Sequence, residues 1–318
     1  MRLLDILSAG LMVSDIIVSP IDAGVFSTDT VPIRAPKFLP GGDALNVAIN
    51  LGRLGVDVGL CGMIGRDTSG AFLVREAENA GIDASHVVIA EDAGTATSIA
   101  LCEPGGERHF AYYGESNYRF TPEYISDVLL QNTKILHVGS VMGLTAFHGD
   151  ALRDLFRRAK GHGVITSMDA TYAPDGISLA KIEEALPFTD LFFPSLWEAA
   201  ELTGRQDVRE IRDFMAAYGL RTFGVKLGKE GCYVTDFVAE FFLPAFACDE
   251  VVDTTGAGDA FMAGYLYGLL RGWGIRDCAV MGSALSNFCI RDYGATANAP
   301  TLGQVRLFFR EQGIAINL

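Results

Sequence analysis

The chain is expected to fold as an α/β protein, with a mostly parallel central sheet covered by helices on both faces. Three observations carry this expectation. Short apolar runs recur along the chain and end in Gly or a polar residue, and helix-like stretches lie between many of them. The 318 residues are 49% hydrophobic and 20% charged, ordinary for a globular chain long enough to bury a large core. Strands buried on both faces read as unbroken apolar runs rather than alternating ones.

In chain order the runs are Leu3–Ala9, Val58–Cys61, Ile135–Val138, Val164–Met168, Leu191–Phe193 and Thr222–Leu227. Helices are expected over Leu45–Leu54, Ala151–Ala159, Val208–Tyr218 and Ala260–Leu270, the last with Phe261, Tyr265, Leu266, Leu269 and Leu270 on one side. Gly10, Gly139-Ser140, Asp169, Pro194-Ser195 and Gly228 follow the C-terminal ends of expected strands. Each alone is ordinary turn chemistry. Together they would form one rim, where open α/β sheets bind ligands.

Two segments break the pattern, about 12–38 and 95–115. In the second, Thr97, Ile99 and Leu101 alternate with Ser98, Ala100 and Cys102; a Pro104-Gly105-Gly106 turn and Arg108–Tyr113 follow, which reads as a hairpin. The two segments form either a small β-layer outside the main sheet or an extension of its edge. No repeat, low-complexity tract or linker divides the chain, so residues 1–318 are expected to form one domain.

The net charge of −14 argues against nucleic acid or an anionic membrane surface as the main partner. The six cysteines form no CxxC pair, and no histidine pair has zinc-ligand spacing. Free thiols in a reducing compartment, hence a cytoplasmic protein, are expected. Asp5 interrupts the first apolar run, so no signal peptide is expected, and no run reaches the ~18 apolar residues of a membrane span.

The most informative stretch is Asp253-Thr254-Thr255-Gly256-Ala257-Gly258-Asp259-Ala260-Phe261, where a glycine-rich bend opens a helix. Helix starts have unpaired N–H groups and partial positive charge, which suits an anion. A turn that merely caps a helix is the commoner meaning of a lone GxG. A dinucleotide fingerprint would need Gly or Ala where Phe261 stands. A Walker loop would need more than Gly228-Lys229, which is followed by Glu230 and has Phe223 in place of the earlier glycine. What remains is a phosphate cradle with a carboxylate inside it, the arrangement of a base beside a transferring phosphoryl group.

A second constellation is Gly41-Gly42-Asp43-Ala44-Leu45-Asn46-Val47-Ala48, continuing through Leu51-Gly52-Arg53-Leu54-Gly55 to Gly62-Met63-Ile64-Gly65-Arg66-Asp67-Thr68-Ser69-Gly70. Glycines at a helix start leave N–H groups bare for hydroxyls, and Asn46 offers both a donor and an acceptor.

The two stretches resemble the C-terminal (DTxGAGD) and N-terminal (GGxxxNxA…LG…GxxGxDxxG) signatures of the ribokinase-like (PfkB) carbohydrate kinases. The resemblance spans nearly the whole chain. It implies a ribokinase-like three-layer α/β/α fold, with a small β-sheet lid that covers the sugar and often makes dimer contacts. It implies Asp259 as catalytic base and Gly256, Ala257 and Gly258 as anion hole. Gly41, Gly42 and Asn46 would hold the acceptor, with Asp15 as the sugar-binding carboxylate and Asp43 a second candidate. Ser195-Leu196-Trp197-Glu198 resembles the family's NxxE motif, with Ser195 in place of Asn, so Glu198 would organise hydrated Mg²⁺ near ATP. Lys226, Gly228 and Gly231 match KxGxxG on the nucleotide side, and Asn287 is a candidate for the adenine side. Gly294-Ala295-Thr296 resembles a loop that binds a monovalent cation such as K⁺ together with Asp253.

Asp169-Ala170-Thr171-Tyr172-Ala173-Pro174 departs from the family's DxNxR, lacking the Asn and the Arg. That weakens any inference from relatives whose acceptor carries a carboxylate or phosphate, unless Arg119 substitutes. The resulting expectation is ATP-dependent phosphorylation of a primary hydroxyl on a small sugar, by a homodimer joined through the lid. A nucleoside kinase, with Phe110, Tyr112 or Tyr113 stacking on a base, is the rival within the fold. A non-catalytic sugar- or nucleotide-binding regulator is the rival outside the activity.

Overall fold

Branched and aromatic residues in short uninterrupted runs favour strands that are covered on both faces. In the structure, a computed structural model describing residues 3–103, 108–171 and 175–316, they form one large sheet. The expected turn at Pro104-Gly105-Gly106 and the stretch Tyr172-Ala173-Pro174 lie outside the described residues. The strands are β1 (Leu4–Gly10), β2 (Val13–Val18), β3 (Lys37–Gly41), β4 (Val58–Cys61), β5 (Met63–Gly65), β6 (Val88–Ala90) and β7 (Thr97–Cys102). They continue with β8 (Arg108–Tyr113), β9 (Thr133–Gly139), β10 (Ile165–Met168), β11 (Leu191–Phe192), β12 (Thr222–Lys226), β13 (Cys232–Thr235) and β14 (Glu240–Leu243). The helices are α1 (Asp43–Arg53), α2 (Thr68–Asn79), α3 (Glu115–Arg119), α4 (Asp127–Gln131) and α5 (Asp150–Gly161). After these come α6 (Leu196–Thr203), α7 (Val208–Met215), α8 (Ala257–Leu270), α9 (Ile275–Cys289) and α10 (Leu302–Glu311).

The main sheet has eight strands in the order β14-β13-β12-β11-β10-β9-β1-β4. Pairing is parallel from β4 to β12 and antiparallel from β12 through β14. The expected run Val58–Cys61 coincides with β4, and the other runs differ from their strands by one or two residues at an end. The antiparallel strands β13 and β14 were not anticipated. Two apolar cores cover the sheet, one built with α1, α2, α8, α9 and α10, the other with α4 to α7.

Two helices differ from expectation. The Val208–Tyr218 segment is α-helical only to Met215 and ends in a 3₁₀ turn over Ala216–Tyr218. Helix α8 is not one-sided: every residue from Asp259 to Gly268 is buried. It packs against both α1 and α9. A methyl at Gly264 would stand 2.6 Å from the Met281 carbonyl oxygen, so glycine there sets how closely α8 and α9 approach. The helix also begins three residues before the expected Ala260, which brings Asp259 into its first turn.

A second, four-stranded sheet has the order β3-β2-β7-β8. The hairpin expected over 97–113 is its β7–β8 pair. Register sets Asp15, Ser98 and Tyr112 side by side on one face. The neighbouring row, on the opposite face, is Phe38, Ile16, Ile99 and Ala111. A short parallel pair, β5–β6, lies apart from both sheets. No helix among the described residues is long and apolar enough to cross a membrane.

Candidate active site

Gly256 takes a left-handed conformation (φ 78°), with Ala295 so close that a methyl would stand 2.3 Å from its Cβ. This turn reverses the chain into α8. Asp253 braces it: one carboxylate oxygen accepts from the Thr255 amide at 2.8 Å, the other from the Gly294 amide at 3.0 Å. From α9, the Ser286 hydroxyl donates to the Ala257 carbonyl at 2.7 Å. Of the expected anion-hole amides, that of Ala257 donates to the Thr254 carbonyl at 3.2 Å.

Helix α1 starts at the Gly41-Gly42 bend, where β3 ends. Gly42 and Asp43 line the cleft, whereas Gly41 lies behind it and makes room for Asp15; a methyl at Gly41 would fall 2.0 Å from Asp15 Oδ2. Asn46, one turn into α1, donates from Nδ2 to Asp259 Oδ2 at 2.8 Å. Its Oδ1 is buried and has no hydrogen-bond partner among the described residues. One side chain thus fixes the candidate base and presents an unused acceptor atom.

Across the cleft, Lys226 at the end of β12 meets Asp169 just beyond β10, with Nζ 2.6 Å from Oδ2. Lys226 also lies against the cradle, since a methyl at Gly258 would stand 3.0 Å from Nζ. Ser195 is the N-cap of α6 and forms a capping box with Glu198. The Ser195 hydroxyl accepts from the Glu198 amide at 3.3 Å, and Glu198 Oε2 accepts from the Ser195 amide at 2.7 Å. The serine that departs from the resembled motif therefore both starts α6 and orients Glu198.

The electrostatics follow from burial. Burial, then the nearby carboxylate of Asp43, push the Asp259 carboxyl well above its ordinary range, against the pull of Asn46 and Lys226. Burial likewise raises Asp43, opposed by the Ser140 hydroxyl beside it and by Lys226. Asp15 is pushed up to about 7, first by burial, with Ser98 opposing and Asp43 and Asp253 adding repulsion. Burial works against the charge of Lys226, but Asp169 and Glu198 outweigh it and hold its pKa above the usual lysine value. His137, buried in β9, is pushed down to about 3 by burial and by Lys226, so it is neutral.

Asp15, Asp43, Asn46, Asp169, Glu198, Lys226 and Asp259 line one cleft of about 1250 Å³. It lies outside the C-terminal ends of the parallel strands, the usual ligand position in such sheets. At one end are Asp15, Ser98, Phe110, Tyr112 and Tyr118, with Leu11 and Val13; at the other are Glu198, Lys226, Gly228, Gly231 and the 245–248 segment. Asn287 belongs to the second end, where Nδ2 donates to the carbonyls of Phe246 and Ala247, each at 3.2 Å. Asp253 does not line the main cleft but a small cavity of about 60 Å³ behind it, shared with Asp15. Tyr113 also stays outside the main cleft; its hydroxyl donates to Glu115 at 2.5 Å. Arg119 does not reach the cleft either, being paired with Asp92 at 2.9 Å and Glu115 at 2.6 Å.

Sequence reasoning missed the pairing of Asp169 with Lys226, the presence of Tyr118, and the role of Asn117. Asn117 is fully buried and holds Tyr112: Nδ2 donates to the Tyr112 hydroxyl at 3.1 Å, and Oδ1 accepts from the Met12 amide at 3.2 Å. The polar residues of Glu115-Ser116-Asn117 were the available signal.

No group of three or more His, Cys, Asp or Glu among the described residues could hold a metal alone. Magnesium does not require one, since it commonly rests on one or two carboxylates, water and substrate phosphates. Glu198, which lines the cleft, fits that mode.

A helix start cradled by glycine, with a buried carboxylate in its first turn and the cleft at the strand ends, defines an α/β phosphotransferase acting on a small alcohol. More particularly, the chain belongs to the pfkB family of carbohydrate kinases, whose model matches residues 5–302. It is 30% identical over 286 residues to the 2-dehydro-3-deoxygluconokinase of Bacillus subtilis, covering 87% of this chain and 88% of that protein. It is 31% identical over 282 residues to the ATP-dependent ribose-1-phosphate kinase of Halopiger xanaduensis, covering 88% of this chain and 90% of the relative. Among solved structures, the fructokinase of Xylella fastidiosa with bound ATP superposes at a TM-score of 0.83 and 24% identity, over 97% of this chain and 99% of that one.

Proposed function

We propose that this ATP-dependent sugar kinase phosphorylates a primary hydroxyl, with Asp259 as general base. The observation that carries this reading is the position of Asp259. It sits in the first turn of α8, is anchored by Asn46, and lies where the two ends of the cleft meet. Asn46 occupies one carboxylate oxygen and leaves the other for the acceptor's proton. As the hydroxyl oxygen bonds to the γ-phosphorus, its proton passes to Asp259, the bond to the β-phosphate bridging oxygen breaks, and ADP leaves. The Gly256–Gly258 turn and the α8 dipole stabilise the charge on the transferring group. Asp15, Gly42, Asp43 and Asn46 orient the acceptor, so much of the acceleration comes from positioning. Lys226 attracts the phosphates, Gly228 and Gly231 shape the nucleotide site, and Asn287 supports its wall. Mg²⁺, when bound near Glu198 through water, neutralises ATP phosphate charge.

The β3-β2-β7-β8 sheet serves as a lid over the acceptor end. The row Phe38, Ile16, Ile99 and Ala111 on its other face, with Phe38 58% exposed, supports a homodimer joined there. A Phe38→Glu variant that sediments as the wild type does would exclude this interface. The six free cysteines support a cytoplasmic setting. A K⁺ ion beside Asp253 would reinforce the loop from behind; activity indifferent to exchange of K⁺ for tetramethylammonium removes that assignment.

The test of the main reading is ADP release from ATP and Mg²⁺ over a panel of ribose, fructose, 2-dehydro-3-deoxygluconate, other ketoses and nucleosides. Sugar-dependent ADP release is expected. Turnover confined to nucleosides would shift the assignment to the rival kinase, with Phe110 and Tyr112 facing the base.

A further inference from the structure

We propose that the acceptor is an uncharged polyol, and that the cleft rejects sugars bearing a carboxylate or a phosphate. The proposal rests on the sugar-kinase reading of the Asp259 site and deepens it.

Recognising an anionic acceptor in a partly buried site needs a cation or a cluster of free donors. Among the described residues, Lys226 and Lys229 are the cations that line the cleft. Neither belongs to the acceptor end. Lys226 is committed to Asp169 at 2.6 Å, and Lys229 stands in the 3₁₀ turn over Gly228–Glu230. Arg119 is turned toward Asp92 and Glu115, and His137 is neutral.

Among the described residues, the acceptor end is instead acidic, aromatic and apolar. Asp15 and Asp43 line it beside Asp259, with Tyr112, Tyr118 and Phe110 around them. The interactions acting on Asp15 make the same point: among the described residues, the Ser98 hydroxyl favours its charge, while Asp43 and Asp253 oppose it. Carboxylates accept hydroxyl protons well, so this surface suits vicinal hydroxyls. An acceptor's own carboxylate would lose hydration there and meet like charge, with Lys226, the cation acting on Asp43 and Asp259, already paired to Asp169. Aromatic faces carry negative potential and add to the repulsion. The relatives named for acidic or phosphorylated acceptors thus share this chain's fold and base without sharing, in this proposal, its choice of acceptor.

The test compares neutral acceptors with anionic counterparts, using the full chain with ATP and Mg²⁺. 3-Deoxyfructose carries a hydroxymethyl where 2-dehydro-3-deoxygluconate carries its carboxylate. Fructose is matched with fructose 6-phosphate, and ribose with ribose 1-phosphate. In each pair that is turned over, kcat/KM should favour the neutral member by about 100-fold or more. Equal or better turnover of the charged member in any pair overturns the proposal and leaves the kinase reading standing. So does inhibition of neutral-sugar turnover by the charged partner at equal concentration. Absence of ADP release with every compound of this set and of the wider panel overturns the sugar-kinase reading itself, and the proposal with it.

Discussion

The two ends of the cleft handle polar groups in opposite ways. At the proposed nucleotide end they are mutually satisfied: Lys226 with Asp169, Ser195 with Glu198, Asn287 with the 246–247 carbonyls. At the proposed acceptor end they are compensated only in part, by Asn46 on Asp259, Ser98 on Asp15 and Ser140 on Asp43. Asn46 Oδ1 is buried without a partner among the described residues, and Asp15, Asp43 and Asp259 are all raised by burial. The first arrangement holds a shape. The second stores binding capacity, because a group denied water and partners gains most when a ligand supplies one. Substitutions at the acceptor end should therefore damage activity more than stability, and substitutions at the nucleotide end should damage both.

The largest effect is expected at Asp259. Asp259→Asn should lower kcat by about two orders of magnitude or more while retaining the fold and ATP binding. A carboxyl whose folded pKa is raised favours the folded state when protonated, and that contribution is lost as pH rises from the unfolded value through the folded one. Above that window this contribution is gone, so the variant's Tm there should equal or exceed that of the wild type. The wild-type kcat/KM should fall on acidification at a higher pH than an ordinary carboxylate would give, and the variant should lose that limb. Near-normal turnover, or a large loss of Tm, would erase the contrast between the two ends.

Lys226 is the complementary case. Its side chain is 16% exposed and that of Asp169 is 3% exposed. Lys226→Met would leave a buried carboxylate facing a methyl group, at a cost of about 3 kcal/mol in urea denaturation. Adding Asp169→Asn should restore part of that loss, because the stranded charge is removed, while KM for ATP stays raised. A single variant as stable as the wild type would mean that the pair does not hold this end together.

The sequence exposed local features well and distant partnerships poorly. β4 could be bounded to the residue because a strand covered on both faces has no polar position to blur its ends. Gly256, Gly258 and Asp259 were legible because their spacing is their geometry. The bond between Asn46 and Asp259 links residues 213 positions apart, and only the fold brings them together. Asp169 and Lys226 each read as the residue after a strand, and nothing local says that they meet. Helix α8 was misjudged for a related reason: periodicity reports one buried side, but neighbours on several sides leave no exposed one, and Gly264 and Gly268 gave only a faint sign of close packing.

Ser195 was visible but was left without a role. Serine three residues before glutamate is the spacing of a capping box, yet its departure from the resembled Asn drew attention to what was missing. The geometry makes the substitution conservative, because Asn and Ser cap helices about equally well. Ser195→Asn should thus leave stability and KM for ATP close to wild type. Ser195→Ala removes the cap, at about 1 kcal/mol in urea denaturation. It also removes one of the two reciprocal bonds that orient Glu198, so KM for ATP should rise while KM for the sugar does not. An equal rise in both constants would place Glu198 in the scaffold of the whole cleft rather than at its phosphate end.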